Sequence, residues 1–164
     1  MLGFAILGNY SLGLQFFSLL SILPTMSVKY LTAQDIAKIP NKKLKKIIVL
    51  MSIGVAILGF TVGPMIISYI FPKFVESGEI IRIISLAVIP VTIQSTYYFP
   101  KFWALEKNRL ILFTSMITVS AQIIGILTLG PLYGTIGIAS ALVISMVCGT
   151  VSAAIFNRFF LKTS

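Results

Sequence analysis

The side chains that could do chemistry in this chain are few, and they are binding groups. The 164 residues contain no histidine, one cysteine and four acids. Histidine is the commonest general base and a common transition-metal ligand, so its absence removes both roles. The lone Cys148 lies in an apolar stretch, where a cysteine packs as a small hydrophobic residue. The sequence therefore predicts that the chain is not an enzyme and holds neither a metal nor a cofactor.

Amides, tyrosines and cations occur instead within apolar stretches. One polar stripe has the three- and four-residue spacing of a helix face, and it contains Gln94, Tyr97, Tyr98 and Lys101. Gln15 and Gln122 interrupt two other apolar stretches. An amide that faces acyl chains leaves its donors and acceptors unsatisfied, so these side chains should face protein or water. Two interpretations stay open: hydrogen bonds within a dry helix bundle, or a hydrophilic cavity lined by three helices.

The elements that must position these side chains are five long apolar stretches, over residues 2–28, 47–71, 80–105, 110–129 and 133–156. A helix crosses the hydrocarbon core of a bilayer with about 20 residues. Hydrophobic residues make up 57% of the chain and charged residues 10%, and the mean hydropathy is +1.02. We therefore predict an all-α, polytopic membrane helix bundle with five transmembrane helices. It forms a single transmembrane domain over residues 1–164 in the cell membrane.

The basic residues indicate the orientation of the bundle. Eleven of the thirteen lie in the segment 29–46, around the turn at Lys107 or near the C-terminus. The other two lie on the opposite side: Lys73 between the second and third apolar stretches, and Arg82 at the start of the third. Short loops rich in Lys and Arg stay cytoplasmic. The prediction is a cytoplasmic basic loop at 29–46, the C-terminus inside and the N-terminus outside. An uncharged outer terminus that leads directly into a span suggests that the chain begins within something larger.

A net charge of +9 is also typical of nucleic-acid binding. A basic nucleic-acid binder needs a solvated basic face, however, and these cations lie at the ends of apolar stretches. We therefore expect membrane lipids, and no nucleic acid, as partners.

The basic segment is predicted to fold in two parts. Tyr30–Ile39 can form a short interfacial helix that Pro40 ends, and Asn41 is placed to N-cap a helix that continues into the second apolar stretch.

Small residues and prolines indicate how the helices pack. A small residue recurs every four positions in the fifth stretch, at Gly137, Ala141, Ser145, Gly149 and Ala153. The second stretch contains the pair Gly59 and Gly63. Such ridges let helix backbones approach closely in lipid. Pro24, Pro64 and Pro90 fall within spans, as in the interrupted helices of many transporters.

Four local motifs, in order along the chain, carry a family resemblance. They are Gly8–Gln15 with Leu23 and Pro24, Ile70–Gly78 with Ile80–Ala87, Ala104–Arg109, and Pro131–Ala139. The ordered set resembles the polysaccharide flippases of the multidrug/oligosaccharidyl-lipid/polysaccharide exporter superfamily. The chain departs from the pattern at Phe71–Pro72, where the family usually has a glycine, and at Lys73–Phe74, which replace a tyrosine-containing stretch.

The resemblance implies a transporter that flips lipid-linked oligosaccharide or polysaccharide precursors by alternating access. It implies two helical bundles around a central cavity, with about twelve or more helices in all. This chain is similar to the last five helices only. The expected partners are the lipid-linked glycan and an N-terminal helical bundle on another chain or outside this sequence.

Two other hypotheses stay open beside this one. A multidrug-type exporter of the same superfamily would be expected to hold an acid inside a span, and no stretch here has one in its interior. A non-transporting membrane subunit that binds a partner bundle is favoured by the missing half. For the flippase, Arg82 and Lys101 would engage the anionic head group at opposite ends of the third stretch, unless both are ordinary snorkelling anchors.

Overall fold

The computed structural model describes residues 4–70, 72 and 77–160. Within these ranges every extended element is a helix and no strand occurs, so the all-helical class is confirmed there. The elements are α1 (Phe4–Leu20), α2 (Ile22–Ile36), α3 (Lys42–Thr61), α4 (Gly63–Ile70), α5 (Ser77–Leu86), α6 (Val88–Ile93), a π-turn (Gln94–Tyr98), α7 (Phe99–Ala104) and α8 (Asn108–Phe160). Lys73 and the two chain termini, for which the sequence predicts a side of the membrane, lie outside the described residues.

Proline positions explain where the long helices break. The breaks between α1 and α2, α3 and α4, and α5 and α6 lie two or three residues before Pro24, Pro64 and Pro90. A proline donates no hydrogen bond to the carbonyl four residues earlier, and its ring crowds that carbonyl. Each helix therefore loses regular geometry for one residue and then resumes.

The basic segment differs from its prediction. Instead of a separate helix over Tyr30–Ile39, α2 continues through Tyr30 and ends at Ile36. This helix packs against α7, and its Leu31 has no exposed surface. The helix continues because tertiary burial stabilises it beyond the point where the sequence pattern alone indicates a boundary.

Both α2 and α7 end in Schellman motifs without glycine. After α2, Ile39 N–H donates to Gln34 O at 3.0 Å, and Lys38 takes the left-handed conformation with φ 54°. After α7, Lys107 N–H donates to Phe102 O at 2.9 Å, and Glu106 has φ 55°. The two parallel helices thus end in the same way.

The predicted start of α3 is confirmed, although its capping chemistry is different. Asn41 directly precedes the helix, but its side chain makes no capping hydrogen bond. Its Nδ2 instead donates to Asp35 Oδ1 at 2.6 Å and so ties the start of α3 to the end of α2.

The 53-residue α8 is a helical hairpin. Gly134 has φ 58° and ψ −133°, a conformation that is open essentially to glycine alone. A Cβ placed on Gly125 would lie 2.8 Å from the Cβ of Ala141, and Lys107 Nζ donates to Phe160 O at 3.1 Å. We call residues 108–133 the first leg and residues 135–160 the second leg of this antiparallel hairpin.

The segment Ser77–Ala104, called the central stretch below, lies at the middle of the bundle. It is the most buried of the long apolar segments among the described residues. Ile80, Ile81 and Ala87 have no exposed surface. α1, α3, α4 and the hairpin pack around the first half of the central stretch, while α2 packs against its second half.

Small residues mediate this packing, as predicted. The five small residues of the second leg, Gly137, Ala141, Ser145, Gly149 and Ala153, are all buried. Gly59 and Gly63 are also buried, and they contact the central stretch: a Cβ on Gly63 would lie 2.7 Å from Ile81 Cγ2. Because lipid removes the hydrophobic driving force between helices, such close contacts supply much of the association energy.

Within the described ranges, four helical segments are long and apolar enough to cross a membrane: Tyr10–Ile36, Lys42–Thr61, Ser77–Ala104 and Asn108–Phe160. The described chain is therefore compatible with a membrane location.

Two glycines of α3 give a matched test of this packing. A Cβ on Gly59 would lie 2.5 Å from Ser85 Oγ and 2.8 Å from Leu20 Cδ1, whereas a Cβ on Gly54 meets nothing within 4 Å. We expect Gly59→Ala to destabilise the chain by about 1–3 kcal/mol through overpacking. Gly54→Ala should be neutral or stabilise it by up to about 1 kcal/mol. Unfolding of the purified chain in detergent, followed by circular dichroism, measures both; equal effects would contradict the packing described.

Candidate functional site: a polar face on the central stretch

The central stretch changes its helical pitch at the predicted polar stripe. Residues Gln94–Tyr98 form a π-turn, in which Phe99 N–H donates to Gln94 O, five residues earlier. Pro100, which follows in the first turn of α7, explains the change. It has no N–H for the Thr96 carbonyl, and its ring would crowd that carbonyl in a regular α-helix. π-turns are frequent at functional sites.

Two members of the stripe face the second leg of the hairpin. Gln94 is only 7% exposed, and its Nε2 lies 3.4 Å from the position of a Cβ on Gly149. Lys101 Nζ donates to Asn157 Oδ1 at 2.8 Å. Gly149 and Asn157 are two helical turns apart, or about 12 Å. The second leg therefore receives both the amide and the amine of the stripe.

The two tyrosines of the stripe separate from each other. Tyr98 packs against the cluster of Phe102, Leu110 and Ala153. Tyr97 is 39% exposed and is not among the residues that pack against that cluster. A π-turn has more residues per turn than an α-helix, so it changes the directions in which successive side chains point. As a result Tyr98 stays on the helix face of Gln94 and Lys101, and Tyr97 does not.

The first leg brings a second amide to the bundle interior. Gln122 is half-buried and faces the phenol of Tyr10 on α1. The Tyr10 hydroxyl is buried, yet it makes no well-formed hydrogen bond with any described group. Thr118, one turn before Gln122, lies against Gly149 together with Gln94. Gln94 of the central stretch and Gln122 of the first leg therefore belong to one row of polar groups, with Thr118 between them.

Gln15 occupies a different place. It is exposed, and so are Ser11 and Ser18 on the same face of α1. Ser18 Oγ satisfies itself by donating to Leu14 O at 2.9 Å, whereas the structure shows no hydrogen bond from Gln15 to another described residue. We call Ser11, Gln15 and Ser18 the polar stripe of α1. It lies on the surface of this bundle, and the residues of α1 that follow it on the other faces are apolar.

Arg82 and Lys101 lie near the two ends of the central stretch. Arg82 is exposed and lines an open cleft of about 480 Å³ with Ser68 and Tyr69 of α4. Lys101 follows Arg82 by nineteen positions, which corresponds to about 28 Å along a helix and to the thickness of a hydrocarbon core.

A cleft of about 620 Å³ runs between α2 and the π-turn, lined by Thr25, Val28, Lys29, Thr32, Ser95, Phe99 and Trp103. It is mostly apolar, with hydroxyl groups along its length and the exposed Lys29 among its lining residues.

Sequence reasoning missed several polar groups that complete this site. Thr150 Oγ1 donates to Pro90 O at 2.9 Å, and Asn157 accepts from Lys101. Thr96 is fully buried, and its hydroxyl has no partner among the described groups. The seven-residue spacing of Thr150 and Asn157 could have identified them from the sequence, since it places both on one face of the second leg.

No family model matches the chain, and neither a curated protein nor a solved structure matches it.

The contact between Lys101 and Asn157 gives a quantitative test of this face. We expect Lys101→Met and Asn157→Leu each to destabilise the chain, and the double variant to lose less than the sum by about 1–3 kcal/mol, because each single change removes the same charge-assisted hydrogen bond. The matched control pairs Lys101→Met with Thr150→Val, which contacts Pro90 instead, and these two effects should add. Detergent unfolding measures all five variants. Additivity of the Lys101 and Asn157 effects would show that their contact contributes nothing.

Proposed function

We propose that this chain is the C-terminal part of a membrane transporter that flips lipid-linked oligosaccharide or polysaccharide precursors across the cell membrane by alternating access. The observation that carries the proposal is the polar stripe of α1, which is exposed on the surface of an apolar bundle. An amide and two hydroxyls at this depth are unfavourable against acyl chains. They suit a face that borders a water-filled path or a second helical bundle.

The topology in this proposal has five crossings, with the N-terminus outside and the C-terminus inside. The fold of α8 as a hairpin at Gly134 supports counting its two legs separately. The basic segment 29–46, the turn that follows α7 and the end of α8 with Arg158 then lie together on the cytoplasmic side.

The polar face is suited to a sugar diphosphate on a lipid. Amides and hydroxyls offer hydrogen bonds to sugar hydroxyls, and amines offer charge-assisted hydrogen bonds to phosphate oxygens. Arg82 and Lys101 supply cations at the two ends of the path, where an anion that crosses the membrane needs them most. The interrupted helices at Pro64 and Pro90 and the π-turn provide irregular backbone beside this face.

The resemblance of the four ordered motifs to polysaccharide flippases supports the same proposal. The alternative of a multidrug-type exporter is less well supported, because the only acids among the described residues are Asp35, Glu79 and Glu106, near helix ends. The exposed polar stripe of α1 also fits the alternative of a non-transporting subunit, since a partner helix would cover the stripe equally well.

The topology is tested by thiol labelling in whole cells. In a Cys148→Ala background, we expect Lys43→Cys to react with a membrane-impermeant maleimide only after the membrane is permeabilised. Ser68→Cys, exposed at the end of α4, should react from outside without permeabilisation. External labelling at position 43 would overturn the orientation.

Transport is tested with Arg82→Gln and Lys101→Gln in the complete transporter. We expect each to lower glycan export by about tenfold or more, because a charge-assisted contact to phosphate is worth about 1.5–3 kcal/mol. Lys46→Gln, an exposed cation on α3 away from this path, is the matched control and should leave export unchanged. Membrane abundance is quantified for every variant. Normal export in both test variants would leave the two residues as snorkelling anchors and contradict the proposed role.

A further inference from the structure

A separate cleft of about 370 Å³ lies where α2 and α7 end, and it brings together basic residues that are far apart in sequence. Its walls include Asp35, Ile36, Lys38, Lys45, Lys101 and Leu105. The walls come from the end of α2, the following loop, the first turn of α3 and the end of α7. Three lysines and one aspartate therefore line the same cleft.

The single carboxylate is already fully engaged. Asp35 accepts from Lys45 Nζ at 3.0 Å through Oδ1 and at 2.7 Å through Oδ2, and Asn41 Nδ2 donates to Oδ1 at 2.6 Å. The side chains of Asp35 and Lys45 are only 15% and 10% exposed. This pair neutralises itself and holds the loop between α2 and α3 in place.

The other two lysines of the cleft lack a carboxylate partner in the described part of the chain. Lys101 Nζ donates to the neutral amide of Asn157, and Lys38 is exposed with no anionic partner among the described residues. The cleft therefore carries two positive charges in excess. Half-buried Lys101 makes this costly at a membrane edge, because the amine has lost part of its hydration without gaining a counterion.

The remaining walls of the cleft are apolar. Ile36, Ile39, Ala104 and Leu105 line it beside the amines. A small inorganic anion would leave these walls in contact with water, whereas an anion joined to hydrocarbon would cover them. Basic pockets between transmembrane helices bind the head groups of anionic lipids for the same reason.

We propose that this cleft is a binding site for the phosphate head group of an anionic phospholipid from the adjoining leaflet. Lys38 and Lys101 donate to the phosphate oxygens, and the pair of Lys45 and Asp35 fixes the wall between them. The glycerol backbone and the first part of an acyl chain lie against Ile36 and Leu105. The site does not depend on the proposed transport, since it requires neither a glycan nor a second bundle.

Lys38 allows binding and folding to be tested separately. It stands at the left-handed position of the Schellman motif after α2, where glycine is the commonest residue. Lys38→Gly therefore removes the amine while it relieves backbone strain. Lys38 also lies outside the path proposed for the glycan, whereas Lys101 belongs to both proposals. A loss of lipid binding in Lys38→Gly is consequently specific to this cleft.

The experiment is native mass spectrometry of the purified chain in detergent, titrated with dioleoylphosphatidylglycerol or dioleoylphosphatidylcholine. We expect the wild-type chain to bind phosphatidylglycerol more tightly, and Lys38→Gly to weaken that binding about fivefold, in keeping with one basic residue at a lipid surface. Its melting temperature should stay equal or rise. Lys46→Gln removes the same charge from an exposed position outside the cleft and should change the affinity by less than about twofold.

Three outcomes would overturn the proposal. Equal affinity for the two lipids would show that the cleft does not select an anionic head group. An equal loss in Lys46→Gln and Lys38→Gly would show only diffuse attraction between the chain and anionic lipid. Displacement of phosphatidylglycerol by an equal concentration of inorganic phosphate would identify a free-anion site. Glycan export by the complete transporter is measured in parallel, and its failure or success leaves these three results unchanged.

Discussion

Close backbone contact around the central stretch is the constraint on which the rest of the structure depends. The stretch is enclosed closely because its neighbours present glycines where the helices approach. Gly59 and Gly63 meet it from α3 and α4, and Gly149 meets it from the hairpin. In lipid these contacts replace the hydrophobic effect as the source of association. The neighbouring helices thus hold the central stretch in place, and its polar side chains occupy defined positions.

The polar face depends on two prolines that interrupt the regular helix of the central stretch. Pro90 interrupts the helix before the stripe, and Pro100 drives the π-turn within it. The wider turn sends Gln94 toward Gly149 and leaves Tyr97 on the surface. The second leg then supplies the partners that the irregular backbone requires, since Thr150 donates to the Pro90 carbonyl and Asn157 accepts from Lys101. The irregular backbone and the polar side chains therefore occur in the same part of the central stretch.

The sequence predicts the apolar helices and their packing residues well, because period and composition are local properties. The small ridge from Gly137 to Ala153 is buried as its spacing indicates, and α3 begins directly after Asn41. It predicts less well where tertiary contact decides. The continuation of α2 through Tyr30 depends on its packing against α7 and on the burial of Leu31. The helix end at Lys38 carries no glycine to signal it. The division of the stripe at Tyr97 requires a π-turn that α-helical spacing does not describe.

The central claim is that the polar stripe of α1 faces water or protein, and not acyl chains. Its most direct test is the collision rate of a nitroxide label with dissolved oxygen and with a water-soluble nickel chelate in lipid bilayers. The label is placed at position 15 of the protein in its native membrane, and Leu112, an exposed apolar position on the first leg, is the comparison site. The account predicts that the label at 15 collides mainly with the chelate, or is shielded from both reagents by a partner helix, while the label at 112 collides mainly with oxygen. Oxygen-dominated collisions at both positions would contradict it.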